Sequence, residues 1–587
     1  MTILLDSFDF SSRSDVVAEN DVISIPGDIS VSTLAGDDSI SSIYTTDVPT
    51  VFELLPDGTP IEIVVGIDNR GSVDTSSGSD IILGDVEYTG ESLIFTVLGI
   101  TQAANGNSDG FVSASISTGS GNDKILGLAS SSNSNEIIGI ADFYSSKIDT
   151  GVGADEVIGE ARGTAIEVLT GIVQFRDPDL STTNNLIVTG DGDDKVIGVA
   201  DGQARLIEGI AQVPGNTELI TGNGNDEVIG KANGNGLVIE GIVQFGDDNL
   251  SGNKIFTGVG NDIVFGEANG NASGSLFGII QAYGNQQIIT DIGADKVIGE
   301  ASGNLEVISG ELGEIPAGIV GIGQQFGKHE INTGNGADEV IGKASGTATS
   351  DDGSLVPIVG IVKSNSTIDT GSGADKVVGE ASGSADQITG IVQQGSEDLI
   401  ITGKGNDEVI GIASGTTNDP DLDFMAGIAQ QPDTGGSQII TGRGNDKVIG
   451  TADNDGEGLT AGILGDLEIV TGSGNDEVIA SAQLSGTRVD GFAADPITQG
   501  AVTVNTGSGN DLVKGFGQGH FDGGEGDRDI YDLTEYHQSE FAIAIGAGGN
   551  NEVNFTHSDI FGESTASTQG FEVFLFADGE LSFSDLA

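Results

Sequence analysis

Aspartate recurs in this chain in one fixed setting. Asp38, Asp80, Asp123, Asp155, Asp194, Asp226, Asp262, Asp295, Asp338, Asp375, Asp407, Asp446, Asp476 and Asp511 each close a stretch reading aliphatic-x-Thr-Gly-x-Gly-x-Asp-x-aliphatic, at spacings of 30 to 43 residues. Asp529 follows a related stretch, Gly523-Gly-Glu-Gly526, one place late. Glycines permit a sharp turn with positive φ and leave carbonyls along the outside of the corner. The carboxylate adds an anionic oxygen beside them. Stacked corners would bring the carbonyls of one towards the carboxylate of the next. Hard oxygen ligands of this kind suit Ca²⁺, which takes about 6–8 of them, better than Mg²⁺, which resists giving up water. The alternative is a structural corner, with each Asp accepting hydrogen bonds from turn amides in a ladder.

The elements that must position these residues follow from the spacing. A fixed period of this length marks a solenoid. An aliphatic precedes each Thr by two places (Ile187, Leu219, Ile255) and Ile or Val follows each Asp by two (Val196, Val228, Val264). Period-2 placement on both sides of a turn describes two short strands meeting at a corner. A third stretch recurs between corners, as in Ile207-Glu-Gly-Ile-Ala-Gln212 and Ile239-Glu-Gly-Ile-Val-Gln244. The expected fold is all-β: a parallel β-helix (β-solenoid) with about three strands per coil and about 14 coils. Columns of Gly (Gly159, Gly198, Gly230) and Ala (Ala161, Ala200, Ala232) predict a narrow cross-section. Strict alternation turns Val228 inward and Ile229, with Ile158, Ile197, Ile298, Ile341, Ile410 and Ile449, outward. The array runs over residues 31–515, between an N-terminal cap or assembly strand (1–30) and a C-terminal cap (516–587). The cap carries a Phe cluster and a hairpin from Phe571 to Phe583.

The motif Thr-Gly-Ser-Gly-Asn-Asp476 resembles the Gly-Gly-x-Gly-x-Asp-x-aliphatic nonapeptide of the RTX (repeats-in-toxin) calcium-binding family. That resemblance implies Ca²⁺ held between successive coils by glycine-rich turns and the fifteen aspartates named above. It also implies type I secretion through a C-terminal signal, to which the end Leu581-Ser-Phe-Ser-Asp-Leu-Ala587 is similar. The chain departs from the family in carrying Thr for the first Gly in all fourteen array copies and one motif per long coil. Leu34, Ser76 and Asp291 replace the Gly after the Thr.

Composition narrows the function. With 21 basic and 90 acidic residues, the net charge of −69 repels nucleic acid and anionic membranes. No Cys is present, so disulfides and thiolate metal sites are excluded. No apolar run is long enough to insert into a membrane. An enzyme would want a singular constellation of acid, base and histidine, whereas acids here repeat uniformly, Trp is absent and His329 is the lone array histidine. The expectation is a non-enzymatic, extracellular or cell-surface structural protein that self-assembles end to end or laterally into a filament, sheath or surface layer. Cell-surface polysaccharide is a candidate second partner. The alternatives are an adhesin stalk, a β-helix enzyme acting on polysaccharide, and an ice- or crystal-binding face built on the Thr column.

Overall fold

The computed structural model describes residues 3–4, 12–26, 29–49, 51–54, 60–103, 105–107, 110–143, 145–175, 184–246, 252–307, 317–417, 423–431, 436–494, 499–546, 550–559 and 562–586. The chain forms two compact units, Met1–Glu300 and Ala301–Ala587. Each is a parallel β-helix.

In the first unit a coil begins with a short incoming strand, Glu218–Ile220, and turns through Thr221–Asp226. It leaves along the bent strand Glu227–Phe245, whose first half runs outward and whose second half returns. One coil earlier the same passage is split into Lys195–Gln203 and Leu206–Val213. Like residues stack in register: Leu219 on Ile187 and Ile255, Val228 on Val196 and Val264, Ile239 on Ile207 and Leu276. These inner columns are fully buried and form the core.

The outgoing strand alternates as its period-2 pattern demands. Val228, Gly230 and Ala232 are inside, and Ile229 is half exposed between half-exposed Ile197 and Phe265. The glycine column sets the width. A Cβ added to Gly230 would lie 2.1 Å from the carbonyl oxygen of Gly241 on the returning half, so backbone packs on backbone there. The N-terminal segment stacks on this unit. Val16–Glu19 pairs with Ser39–Ser42, and Ile3–Leu4 pairs with Ile23–Ser24.

The second unit repeats the plan. Incoming strands Thr367–Asp369, Leu399–Ile401, Gln438–Ile440 and Glu468–Val470 stack in parallel, as do outgoing strands from Lys376–Ser384 to Glu477–Leu484. Two of its sheets continue past residue 516. Phe521 stacks on Val504, and Tyr531 stacks on Val513 and beneath Phe574. The Phe-rich composition is thus the inner column refilled with aromatic rings, with Tyr531 5.5 Å from Phe521, 5.8 Å from Phe555 and 5.6 Å from Phe571. The last hairpin pairs Val573–Phe576 with Gly579–Ser582. Phe561 of the cluster lies outside the described residues. No helix among the described residues is long and apolar enough to cross a membrane.

Candidate metal centre

The motif turn is built by its glycines. In the turn at Thr221, Gly222 and Gly224 take φ of 103° and 149°, and each abuts the matching Gly of the preceding coil so closely that a Cβ would collide with its carbonyl. Where Leu34, Ser76 and Asp291 replace the first of these glycines, they adopt left-handed φ of 66°, 67° and 70°. The turn is kept, at the conformational cost that a side chain pays there.

All fifteen aspartates lie at these corners, and none is more than 2% exposed. Their carboxylates point into the coil, which corrects the expectation that they stand beside carbonyls on the outside. Within each unit, Oδ1 of every Asp after the first accepts a hydrogen bond from the backbone N–H of the Asp one coil earlier. In the first unit the links run Asp38 to Asp80 (2.7 Å), Asp80 to Asp123 and Asp123 to Asp155 (2.8 Å each). They continue Asp155 to Asp194, Asp194 to Asp226 (2.8 Å each), Asp226 to Asp262 and Asp262 to Asp295 (2.9 Å each). The second unit links Asp338, Asp375, Asp407, Asp446, Asp476, Asp511 and Asp529 in the same way at 2.8–2.9 Å. Asp529 takes its place despite the displaced motif, because Arg528 then occupies the position before it and donates to Asn510.

The second carboxylate oxygen is different. Thr33 and Thr370 donate to Oδ2 of Asp38 and Asp375, at 2.5 and 3.2 Å. In most other turns the Thr hydroxyl points instead to the carbonyl of the next Thr, as Thr150 does to Thr189 at 3.1 Å and Thr471 to Thr506 at 3.0 Å. Oδ2 of Asp80, Asp123, Asp155, Asp194, Asp226 and Asp262 then meets no hydrogen-bond donor, and neither does that of Asp407, Asp446, Asp476, Asp511 and Asp529. Burial pushes Asp155, Asp226 and Asp511 up to about 7, although the preceding Asp amide and the nearby Thr hydroxyl pull the other way.

In donor type these corners fit a hard cation: in most coils one buried carboxylate oxygen without a donor, beneath a glycine turn rich in carbonyls. Carboxylates alone are too few. Among the described residues no three acidic, His or Cys side chains converge, so turn carbonyls must complete any ligand set.

Several features escaped the reading of the sequence. The buried Thr column is a hydroxyl-to-carbonyl ladder, and as Thr33 through Thr506 are at most 1% exposed where described, it offers no ice-binding face. The residue before each Asp forms a second, exposed ladder of opposite sense: the amides of Asn261, Asn445 and Asn475 donate to the side chains of Asn225, Asn406 and Asn445 one coil earlier. Alanine at 154 and 294 can end such a run, since its amide donates to Asn122 and Asn261 but its side chain accepts nothing. A third ladder is fully buried: Gln281 donates to Gln244, Gln244 to Gln212 and Gln212 to Gln174, at 2.7–2.8 Å. Its sequence signal is the polar residue closing most of the apolar return strands, as at Gln174, Gln212 and Gln244. The array histidine, His329, is 2% exposed with Nε2 2.8 Å from the Gln325 carbonyl, and burial lowers its pKa to about 4.

No protein-family model matches this chain. No curated protein matches it. Among solved structures it is similar to the X-ray crystal structure of a hyperactive, Ca²⁺-dependent, beta-helical antifreeze protein from an Antarctic bacterium. The identity is 13%, 98% of each chain is covered and the TM-score is 0.23.

Proposed function

We propose that this chain is a structural repeat protein that works outside the cell. It folds with Ca²⁺ along its aspartate corners and assembles with copies of itself into a filament, sheath or surface layer. The observation that carries the reading is the column of buried carboxylates whose Oδ2 atoms meet no donor. Coils stack about 4.8 Å apart, so neighbouring anions in the column repel unless protons or cations neutralise them. The net charge of −69 adds to that need. Successive corners such as Asp194 and Asp226 would hold the cation together with motif carbonyls.

Extracellular calcium modules bind at about 10⁻⁴–10⁻³ M. Folding would therefore wait until the chain has left the cytosol, in keeping with type I secretion. Circular dichroism and electron microscopy with calcium and with chelator test both halves. A full β spectrum and unchanged melting in chelator would remove the calcium role. Particles that stay monomeric in millimolar calcium would remove the assembly.

A further inference from the structure

The outward face of the outgoing strands in the first unit carries an ordered pattern. Its first column reads Ile81, Lys124, Glu156, Lys195, Glu227, Ile263 over six successive coils. Two places along, the aliphatic column contains Leu126, Ile158, Ile197 and Ile229, all half exposed. Within the chain, Lys124 pairs with Glu156 at 2.8 Å and Lys195 with Glu227 at 3.0 Å. These side chains remain 30–46% exposed.

Both columns are self-complementary when read backwards. The charge column reversed places Lys against Glu at every rung and Ile263 against Ile81. We propose that this face docks a second copy of the chain, face to face and antiparallel, about a two-fold axis lying along the strands midway between Glu156 and Lys195. That axis keeps each column opposite itself and reverses the order of coils. Lys124 then meets Glu227 of the second copy, Glu156 meets Lys195, and Leu126 meets Ile229.

Parallel docking about an axis along the solenoid would instead bring the first column onto the fifth position and oppose Glu156 to Glu160. Shifting the two-fold axis by half a coil, onto Lys195, would oppose Lys195 to itself and Glu156 to Glu227, and like charges across an interface suppress that arrangement. Antiparallel docking leaves one like-charge pair at the rim, Asp85 against Glu267. Eight coils of five outward-spanning residues cover about 38 by 17 Å, or roughly 650 Å². A standard interface takes about 800 Å² per partner, so the contact is weak, and because a two-fold face is used up by one partner it pairs two copies.

The proposal rests on the self-assembly reading, and the test separates the two. The chain has no cysteine of its own. Leu126→Cys and Ile229→Cys full-length chains, in calcium, would be treated separately and mixed with a bismaleimide spanning about 10 Å, the distance between packed sheets. Cross-linked dimer should form in the mixture and be lost in either variant alone. A second arm inverts the column with Lys124→Glu, Glu156→Lys, Lys195→Glu and Glu227→Lys combined, which preserves alternation within the chain. That protein should associate with itself and fail to associate with wild type. Self-cross-linking of Leu126→Cys alone, or mixing of inverted and wild-type chains, overturns the docking. Light scattering that shows only monomers overturns the assembly reading as well, whereas assembly without the 126–229 cross-link overturns this face alone.

Discussion

The backbone N–H of Asp194 donates to Oδ1 of Asp226 at 2.8 Å, one coil further along the chain, and Asp226 donates in turn to Asp262 at 2.9 Å. The ladder needs an acceptor at each rung. It does not need a charge.

Asp226→Asn keeps the acceptor and removes a buried anion, so in chelator it should melt at or above the wild-type temperature. Asp226→Ala leaves the Asp194 amide without its acceptor and should cost about 1–3 kcal/mol. In calcium the order of Asn and wild type should reverse, because the anion is then what holds the cation. Melts of the three proteins in both conditions decide this. An Asn variant as damaged as the Ala variant in chelator would show that the hydrogen bond is not what the residue supplies.

Stability without calcium should fall as pH rises. Burial holds Asp155, Asp226, Asp375 and Asp511 up to about 7 and Asp80, Asp407 and Asp529 up to about 6, against an ordinary value of 3.8. Between those values the folded chain keeps protons that the unfolded chain has released, so unfolding becomes easier through the window from about pH 4 to about pH 7. If the proposed calcium role holds, calcium takes the place of those protons, and its stabilising effect should grow across the same window. Melting temperatures at pH 5 and pH 8, with calcium and with chelator, give the comparison. A melting temperature that climbs with pH in chelator contradicts the sign.

The strands, their order within a coil and the inward columns were legible because period-2 alternation is a local property of the backbone. The same rule reached the corner residues. Thr221 lies two places after buried Leu219, and Asp226 two places before buried Val228, so alternation carried through the turn puts both inside. What alternation cannot give is the partner of a side chain in the next coil. The opposite senses of the Asp226 and Asn225 ladders depend on the offset between stacked turns, which no single repeat encodes. The continuation of the coil beyond residue 516 was hidden because Phe521 and Tyr531 do the work of Val504 and Val513 with a different residue type.

Lys363 stands in the buried column that holds Gln324 and Gln393 in neighbouring coils. It is fully buried and donates to the Leu399 carbonyl. Burial lowers its pKa to about 7, with Asp398 pulling it upward. From about pH 7 to the ordinary lysine value of 10.5 the unfolded chain holds a proton that the folded chain lacks, so this lysine costs stability at neutral pH and less as pH rises. Lys363→Gln, which restores the residue of the flanking coils, should raise the melting temperature at pH 7. The gain should shrink by pH 10. Loss of stability at pH 7 would mean that the ammonium is better solvated than its burial implies.

The waist between outgoing and returning halves leaves no room for a methyl group. A Cβ on Gly230 would stand 2.1 Å from the Gly241 oxygen and 2.6 Å from Cγ1 of Ile242, and Gly159, Gly198 and Gly266 face the same obstruction in their own coils. In the second unit Ala480 stacks on Gly450 in the equivalent column. The chain opposite it has changed there: Thr487–Val489 folds back antiparallel on Glu477–Leu484 before Phe492 rejoins the return sheet. Alanine is therefore accepted at 480, where the regular return strand ends, and Ser42, stacked on Gly84, is the place in the first unit where the same column carries a Cβ. Gly230→Ala should cost about 1–3 kcal/mol or more, the range for overpacking a close-packed interior, whereas Ala480→Gly should change stability far less. Urea midpoints of the two variants at saturating calcium check this. Equal midpoints would mean that the two halves can part by the width of a methyl group without loss, and the glycine column would then need another cause.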